Sequence, residues 1–186
     1  TIRSHTESQR TMDFGYRVRI KNLDPVATLV GAERFDGRAD LNGTILGTDE
    51  NLSCSARGNI DEFFIGSSEK GLLFTNASIS LTLDSLTDRT TLEQLSAKLD
   101  FSVQSGSVNA TRINDMNLAL TYNRLEGSLA VRGLFDSLYA IVMAGKTSVQ
   151  PHTYVFDVDT LTLSAGAYSW RNEQDVQFRT NYDGTR

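Results

Sequence analysis

From "FGYRVRI" near the start to "VDTLTLSAGAYSW" near the end, segment after segment of the chain carries an apolar side chain at every second position. That period puts one row of side chains on each side of an extended backbone, so each segment offers a greasy face and a wet face. Phe14, Tyr16, Val18 and Ile20 open the series, and Phe35, Ala39, Leu41 and Ile45 follow. Next come Leu52, Cys54 and Ala56, then Thr75, Ala77, Ile79, Leu81 and Leu83 opposite Asn76, Ser78, Ser80 and Thr82. The pattern resumes at Ala97, Leu99, Phe101 and Val103, at Met116, Leu118, Leu120 and Tyr122, and at Leu125, Leu129 and Val131. Its last run is Tyr154, Phe156 and Val158, passing into Leu161, Leu163 and Ala165. Turn residues bound each run, so the pattern predicts about eight to ten strands in an all-β unit with mostly antiparallel neighbours.

Three segments leave the pattern. "DPVATLVG" reads as a two-turn helix capped at Asp24, with Pro25 in its first turn and Gly31 as its stop. "TTLEQLSAKL" offers a capping box at Thr90 and Glu93 before a strand that starts near Ala97. "FDSLYAIVMAG" fits both periods: Leu134, Leu138, Ile141 and Val142 suit a helix, whereas Tyr139, Ile141 and Met143 suit a strand. No composition shift or low-complexity block divides the chain, so residues 1–186 are read as a single β-rich unit. The opening "TIRSHTESQR" has neither an initiator Met nor a signal-peptide pattern, and no apolar run is long enough to span a bilayer. The expectation is an internal fragment of a longer protein.

Reactive groups are sparse. With a net charge of -5 and no basic block, nucleic acid is not an expected partner. His5 and His152 sit in polar terminal and turn contexts, where a solvated histidine is the ordinary case. Cys54 shares a face with Leu52 and Ala56 and reads as a small hydrophobe. Asp49 and Glu50, and Asp61 and Glu62, fall in predicted loops where acids face water. No nucleophile elbow, phosphate-cradling glycine loop or zinc spacing occurs, so no enzyme activity, cofactor or metal is expected. Gly37, Gly43, Gly47, Gly127 and Gly133 lie within or at the ends of strand patterns; they mark either bends that curve a sheet or ordinary hairpin turns.

The greasy rows must be covered by a facing sheet, a helix or a ligand. A closed β-sandwich would make a surface binding or adhesion module, with residues 49–51 and 61–62 as contacts. An open trough is the other solution. Small residues (Ala39, Cys54, Ala56, Ala77, Ala97, Ala110) share the inward rows with Leu and Ile, few large aromatics accompany them, and Trp170 comes late in the chain. On this second reading Leu41, Ile45, Leu52, Ile79, Leu81, Leu99, Phe101, Leu118, Leu120 and Leu129 line a groove suited to acyl chains. An exposed sheet of this kind should also self-associate along edges or apolar faces.

"FDGRADLNGTILGTDENLSCSARGNIDEFFIG", residues 35 to 66, resembles the repeating strands of TamB and the wider AsmA-like family of bacterial envelope proteins. "LDPVATLVG" is similar to the short helix that precedes such strand runs, and "NRLEGSLAVRG" resembles the repeat again. Family repeats often carry a proline where this chain has "TDEN". The resemblance covers about residues 14 to 135. It implies a half-pipe sheet, the β-taco, with an apolar concave face. It also implies a periplasmic location in a protein anchored to the inner membrane through another region. Phospholipid acyl chains in transit to the outer membrane, and a BamA-like outer-membrane barrel, are the partners it implies.

Overall fold

The computed structural model describes residues 11–23, 33–48, 51–67, 70–86, 93–109, 111–150 and 153–181. Every regular element among them is a strand: β1 (Thr11–Ile20), β2 (Arg34–Thr48), β3 (Asn51–Gly66), β4 (Gly71–Leu86), β5 (Ser96–Val108), β6 (Thr111–Asn123), β7 (Glu126–Phe135), β8 (Tyr139–Gln150), β9 (Thr153–Ala165), β10 (Tyr168–Arg171) and β11 (Val176–Asn181). All eleven belong to one sheet, in which β1 to β9 run as an antiparallel meander in chain order. Both β10 and β11 pair with β9, one at each end of it. Asn172 links them: its N–H donates to the Leu161 carbonyl at 3.0 Å and its side-chain oxygen accepts from the Leu161 N–H at 2.7 Å. The two short strands therefore fill a tenth lane.

No helix is present among the described residues. The helix expected at "DPVATLVG" lies outside them, as do Thr90, Ala110, both histidines, Asp49 and Glu50. Glu93 and Gln94 form a turn, and β5 follows at Ser96. The ambiguous segment 134–145 is turn and strand. Asp136 and Ser137 take positive φ, the Leu138 N–H donates to the Phe135 carbonyl at 3.1 Å, and β8 then starts at Tyr139 between two hydrogen-bonding neighbours. A local helix could not supply those two ladders. The β6–β7 hairpin turns on Arg124 and Leu125, both at positive φ as a type I′ turn requires.

The sheet is not closed into a barrel, and no second sheet faces it among the described residues. That overturns the sandwich alternative. Asp61 and Glu62 are likewise inside β3 instead of in a loop, and Glu62 pairs with Arg38 on β2 at 3.2 Å. Among the described residues only five apolar side chains are buried, namely Ala77, Val103, Ile113, Val155 and Val158. Four of these, all but Val155, share one face of the sheet with the greasy rows. In a single layer, a side chain is hidden by its lateral neighbours in the sheet. The fold is an open, curved sheet, consistent with a half-pipe, and its apolar face carries most of the buried side chains.

Curvature follows from glycines and bulges. A Cβ on Gly43 would collide with the Ser55 carbonyl oxygen of β3, and one on Gly145 with the Asp157 carbonyl of β9. Glycine is required at these positions within the strands because the neighbouring backbone leaves no room for a side chain. Tyr16 lies across Gly43, and its hydroxyl donates to the Ser55 carbonyl at 2.9 Å, so an aromatic ring covers the gap the glycine leaves. Register shifts occur at Arg38/Ala39 against β3, at Asn114/Asn117 against β7, and at Ala144/Gly145 against β9. Each extra residue re-aims the strand beyond it.

Candidate functional site

Lateral registers connect the apolar residues into rungs that run along the trough. One rung joins Val18, Leu41, Gly58, Ile79, Phe101, Leu118, Val131, Met143 and Leu161, one residue from each of nine strands. The next joins Tyr16, Gly43, Ala56, Leu81, Leu99, Leu120, Leu129, Gly145 and Val158, and continues to Val176 on β11. A third runs from Phe14 through Ile45, Cys54, Leu83, Ala97, Tyr122, Gly127, Thr147 and Phe156 to Phe178. At some 4.8 Å per lane each rung runs about 40 Å across the sheet. Thr147 is the one aliphatic hydroxyl in them, and Tyr16 and Tyr122 bring phenolic ones.

The structure brings the ten expected lining residues onto this one face. Leu41, Ile79, Phe101 and Leu118 share the first rung, Leu81, Leu99, Leu120 and Leu129 share the second, and Ile45 lies in the third. Leu52, paired with Gly47 and Leu86, extends the face beyond Cys54. All ten are half-buried, flanked by neighbours in the sheet but uncovered from above.

Sequence reading placed Phe35 and Phe101 on this face but missed Phe63 and Phe74 between them. Phe35, Phe63, Phe74 and Phe101 form a chain of rings with centroids 5.4, 6.3 and 5.5 Å apart. Strict alternation from Ala77 places Thr75 on the greasy face, but Asn76 has a φ of 51° and the faces exchange there. Thr75 consequently points to the wet side, where its hydroxyl meets the Ser105 hydroxyl at 2.6 Å, and Phe74 takes the inner position. The signal was in the sequence as two polar residues between apolar ones. Ile60-Asp61-Glu62-Phe63, Ala77-Asn76-Thr75-Phe74 read backwards, Ile113-Asn114-Asp115-Met116 and Val158-Asp159-Thr160-Leu161 all show it.

An apolar hollow of about 640 Å³ opens at one end of the trough, walled by Leu95, Ala97, Leu120, Tyr122, Val149, Tyr154, Phe156 and Phe178. It sits where the third rung runs from Tyr122 past Thr147 to Phe156 and Phe178. Its volume and lining are those of a small-molecule pocket. A larger groove of about 710 Å³ lies on the opposite face, along Arg57, Asn59, Ser78, Ser80, Asp100, Ser102, Asn117 and Arg132. Hydroxyls, amides and charges alternate there with Ala119, Ala130, Val142 and Ala144, so its lining is mixed where that of the hollow is apolar. The apolar hollow, though smaller, is the one that water fills badly.

On the wet face, hydroxyl pairs stitch neighbouring strands: Thr44 with Ser55 at 2.9 Å, Ser78 with Ser102 at 2.7 Å, and Thr121 with Ser128 at 2.7 Å. Charge concentrates at the β1–β2 margin. Asp40 accepts from Arg17 at 2.6 Å and from Arg19 at 3.1 Å. The Arg17 hydrogen bond, with Arg19 beside it, holds the Asp40 carboxyl down to about 2. Burial pushes the Tyr16 hydroxyl up, and Cys54 next to it adds to the shift. No group of three or more His, Cys, Asp and Glu side chains is placed to hold a metal among the described residues. No helix among them is long and apolar enough to cross a membrane. The chain matches no family model, no curated protein and no solved structure.

Proposed function

We propose that this chain is a non-enzymatic segment of a lipid conduit in the bacterial envelope, of the TamB and AsmA-like kind, whose trough shields phospholipid acyl chains between the inner and outer membranes. The observation that carries this reading is the nine-strand rung from Val18 to Leu161, apolar throughout and with no second layer over it among the described residues. An apolar surface of that length on a soluble chain marks a binding surface. Acyl chains fit its chemistry because they need only a continuous hydrocarbon wall. Sheltering roughly 30 methylenes at about 0.8 kcal/mol each offsets on the order of 20 kcal/mol, which is the cost that keeps a lipid in its bilayer. Rungs that run unbroken along the trough allow this shelter to pass from strand to strand without a barrier of that size at any point.

The reading also includes a periplasmic setting, an inner-membrane anchor elsewhere in the protein, and a BamA-like barrel as outer-membrane partner. These rest on the sequence resemblance alone. Ultraviolet crosslinking tests the central claim. A photoreactive residue at Ile79 or Leu118 should form a covalent phospholipid adduct in cells, while one at Ser80 or Asn117 on the wet face should not. Folded, well-expressed variants that capture no lipid at any trough position would refute it.

A further inference from the structure

We propose that the two lateral edges of the sheet are complementary, and that a second copy of this chain docks edge to edge, residues 11–16 of one copy pairing antiparallel with residues 176–181 of the next. Among the described residues, β1 pairs only with β2 and β11 only with β9, so each presents one free backbone edge. A free edge is a template for another strand. Direction agrees, because the sheet has ten lanes and strands alternate in direction from lane to lane. An eleventh lane antiparallel to β11 therefore runs the same way as β1, and a copy placed by simple translation keeps its apolar face on the same side.

Register agrees too. Phe14 and Phe178 end the same rung, and Tyr16 and Val176 end another. Continuing these rungs into the next copy sets Phe14 against Phe178, Tyr16 against Val176, and Asp13 against Arg179. An aromatic pair, an aromatic and β-branched pair, and an opposite-charge pair are the cross-strand combinations that favour antiparallel pairing. Asp13 makes no ion pair among the described residues, and Arg179 bonds the side-chain oxygen of Gln177 at 2.6 Å, which leaves its charge unbalanced. Phe14 and Phe178 are 58% and 57% exposed, as expected of rung ends that lack a neighbour.

The contact is heterologous and does not close, so it builds rows of copies. Each junction carries the trough into the next molecule. The junction depends on the two edges alone and requires no lipid, so it stands or falls separately from the conduit reading.

Two single-cysteine chains test it, Asp13→Cys and Arg179→Cys, each made with Cys54→Ser so that no other thiol is present. Opposed positions on paired strands are close enough for a disulfide. Mixed and oxidised, the two chains should give a covalent dimer that neither gives alone. Separately, Asp13→Arg should weaken association by about fivefold in sedimentation, and adding Arg179→Asp in the same chain should restore it. Dimers from Asp13→Cys alone would instead show like edges meeting. Association that survives with no mixed disulfide would show apolar faces meeting, and a strictly monomeric chain would show no docking; each of the three overturns the proposal.

Discussion

Val103 and Val18 are the same residue type on the same face of the same sheet, yet Val103 on β5 is 1% exposed and Val18 on β1 is 46% exposed. No second layer lies above either among the described residues. The difference is lateral: Val103 is flanked by Ala77 on β4 and Met116 on β6, whereas Val18 has Leu41 on one side and, among the described residues, no strand on the other. In an ordinary globule, burial measures depth beneath a surface. Here it measures how fully a side chain is flanked within a single curled layer, and the outermost strand lacks one flank. The centre is therefore held by apolar packing along the rungs, and the margin at β1 by polar links: Arg17 and Arg19 to Asp40, and Tyr16 to the Ser55 carbonyl.

The largest effect expected from this contrast follows a charge placed at each valine. Val103→Asp puts a carboxylate where no water or cation reaches it, and should cost about 3 kcal/mol or more in urea or thermal unfolding. Val18→Asp should cost under about 0.5 kcal/mol, as surface substitutions do. Equal losses would mean that the margin is covered in solution and that the centre-to-edge gradient is false.

Ligand binding should divide the same way. Ala97→Phe sets a ring into the hollow walled by Leu120, Tyr122 and Phe156. It should weaken binding of a fluorescent fatty acid by about tenfold, equivalent to the shelter of roughly two methylenes at about 0.8 kcal/mol each. Phe14→Ala, at the rim, should change it by no more than about twofold. Stability measured alongside separates a filled pocket from an unfolded chain.

The centre was far more legible in the sequence than its irregularities. Period-two alternation is a local signal, so the strands at Leu99 to Val103 or Leu118 to Tyr122 could be read directly, and with them the one face that the ten expected lining residues share. Whether those rows faced a second sheet or open space was not legible, since core and trough demand the same alternation; the choice depends on long-range closure that no single segment encodes. Face exchanges were lost because a residue at positive φ such as Asn76 shifts the period by one without breaking the register, which carried Phe63 and Phe74 off the apparent greasy face. The turn at Asp136 was lost for a related reason. Leu134, Leu138 and Ile141 keep helical spacing by chance across a hairpin, and only pairing with β7 and β9 decides for the strand.

At the margin the effects are smaller but more specific. Tyr16→Phe removes the hydroxyl that donates to Ser55 and leaves the ring over Gly43, so it should cost about 1 kcal/mol, the net value of one hydrogen bond. Hydrogen exchange should show the loss at β1 amides and not at β5. A uniform rise across the sheet would mean that β1 opens only with the whole, and that the margin is not a separate unit.

Acid should loosen the margin before the centre. Asp40 titrates at about 2 in the folded chain, below the ordinary carboxylate value, because Arg17 and Arg19 hold its ionised form. A carboxyl whose folded value is depressed contributes stability above its unfolded value, near 4, and that contribution disappears as the pH falls from about 4 through about 2. The pair is exposed and salt screens it, so the effect should be modest and should shrink at high ionic strength. Over that pH range β1 amides should lose protection relative to those of β5, whose inward side chains Val103, Phe101 and Leu99 carry no charge to titrate. Asp40→Asn should flatten the β1 dependence without altering that of β5. If β1 protection in the Asn variant still falls between pH 4 and 2, another carboxylate holds the margin, and the polar half of the contrast must be redrawn around it.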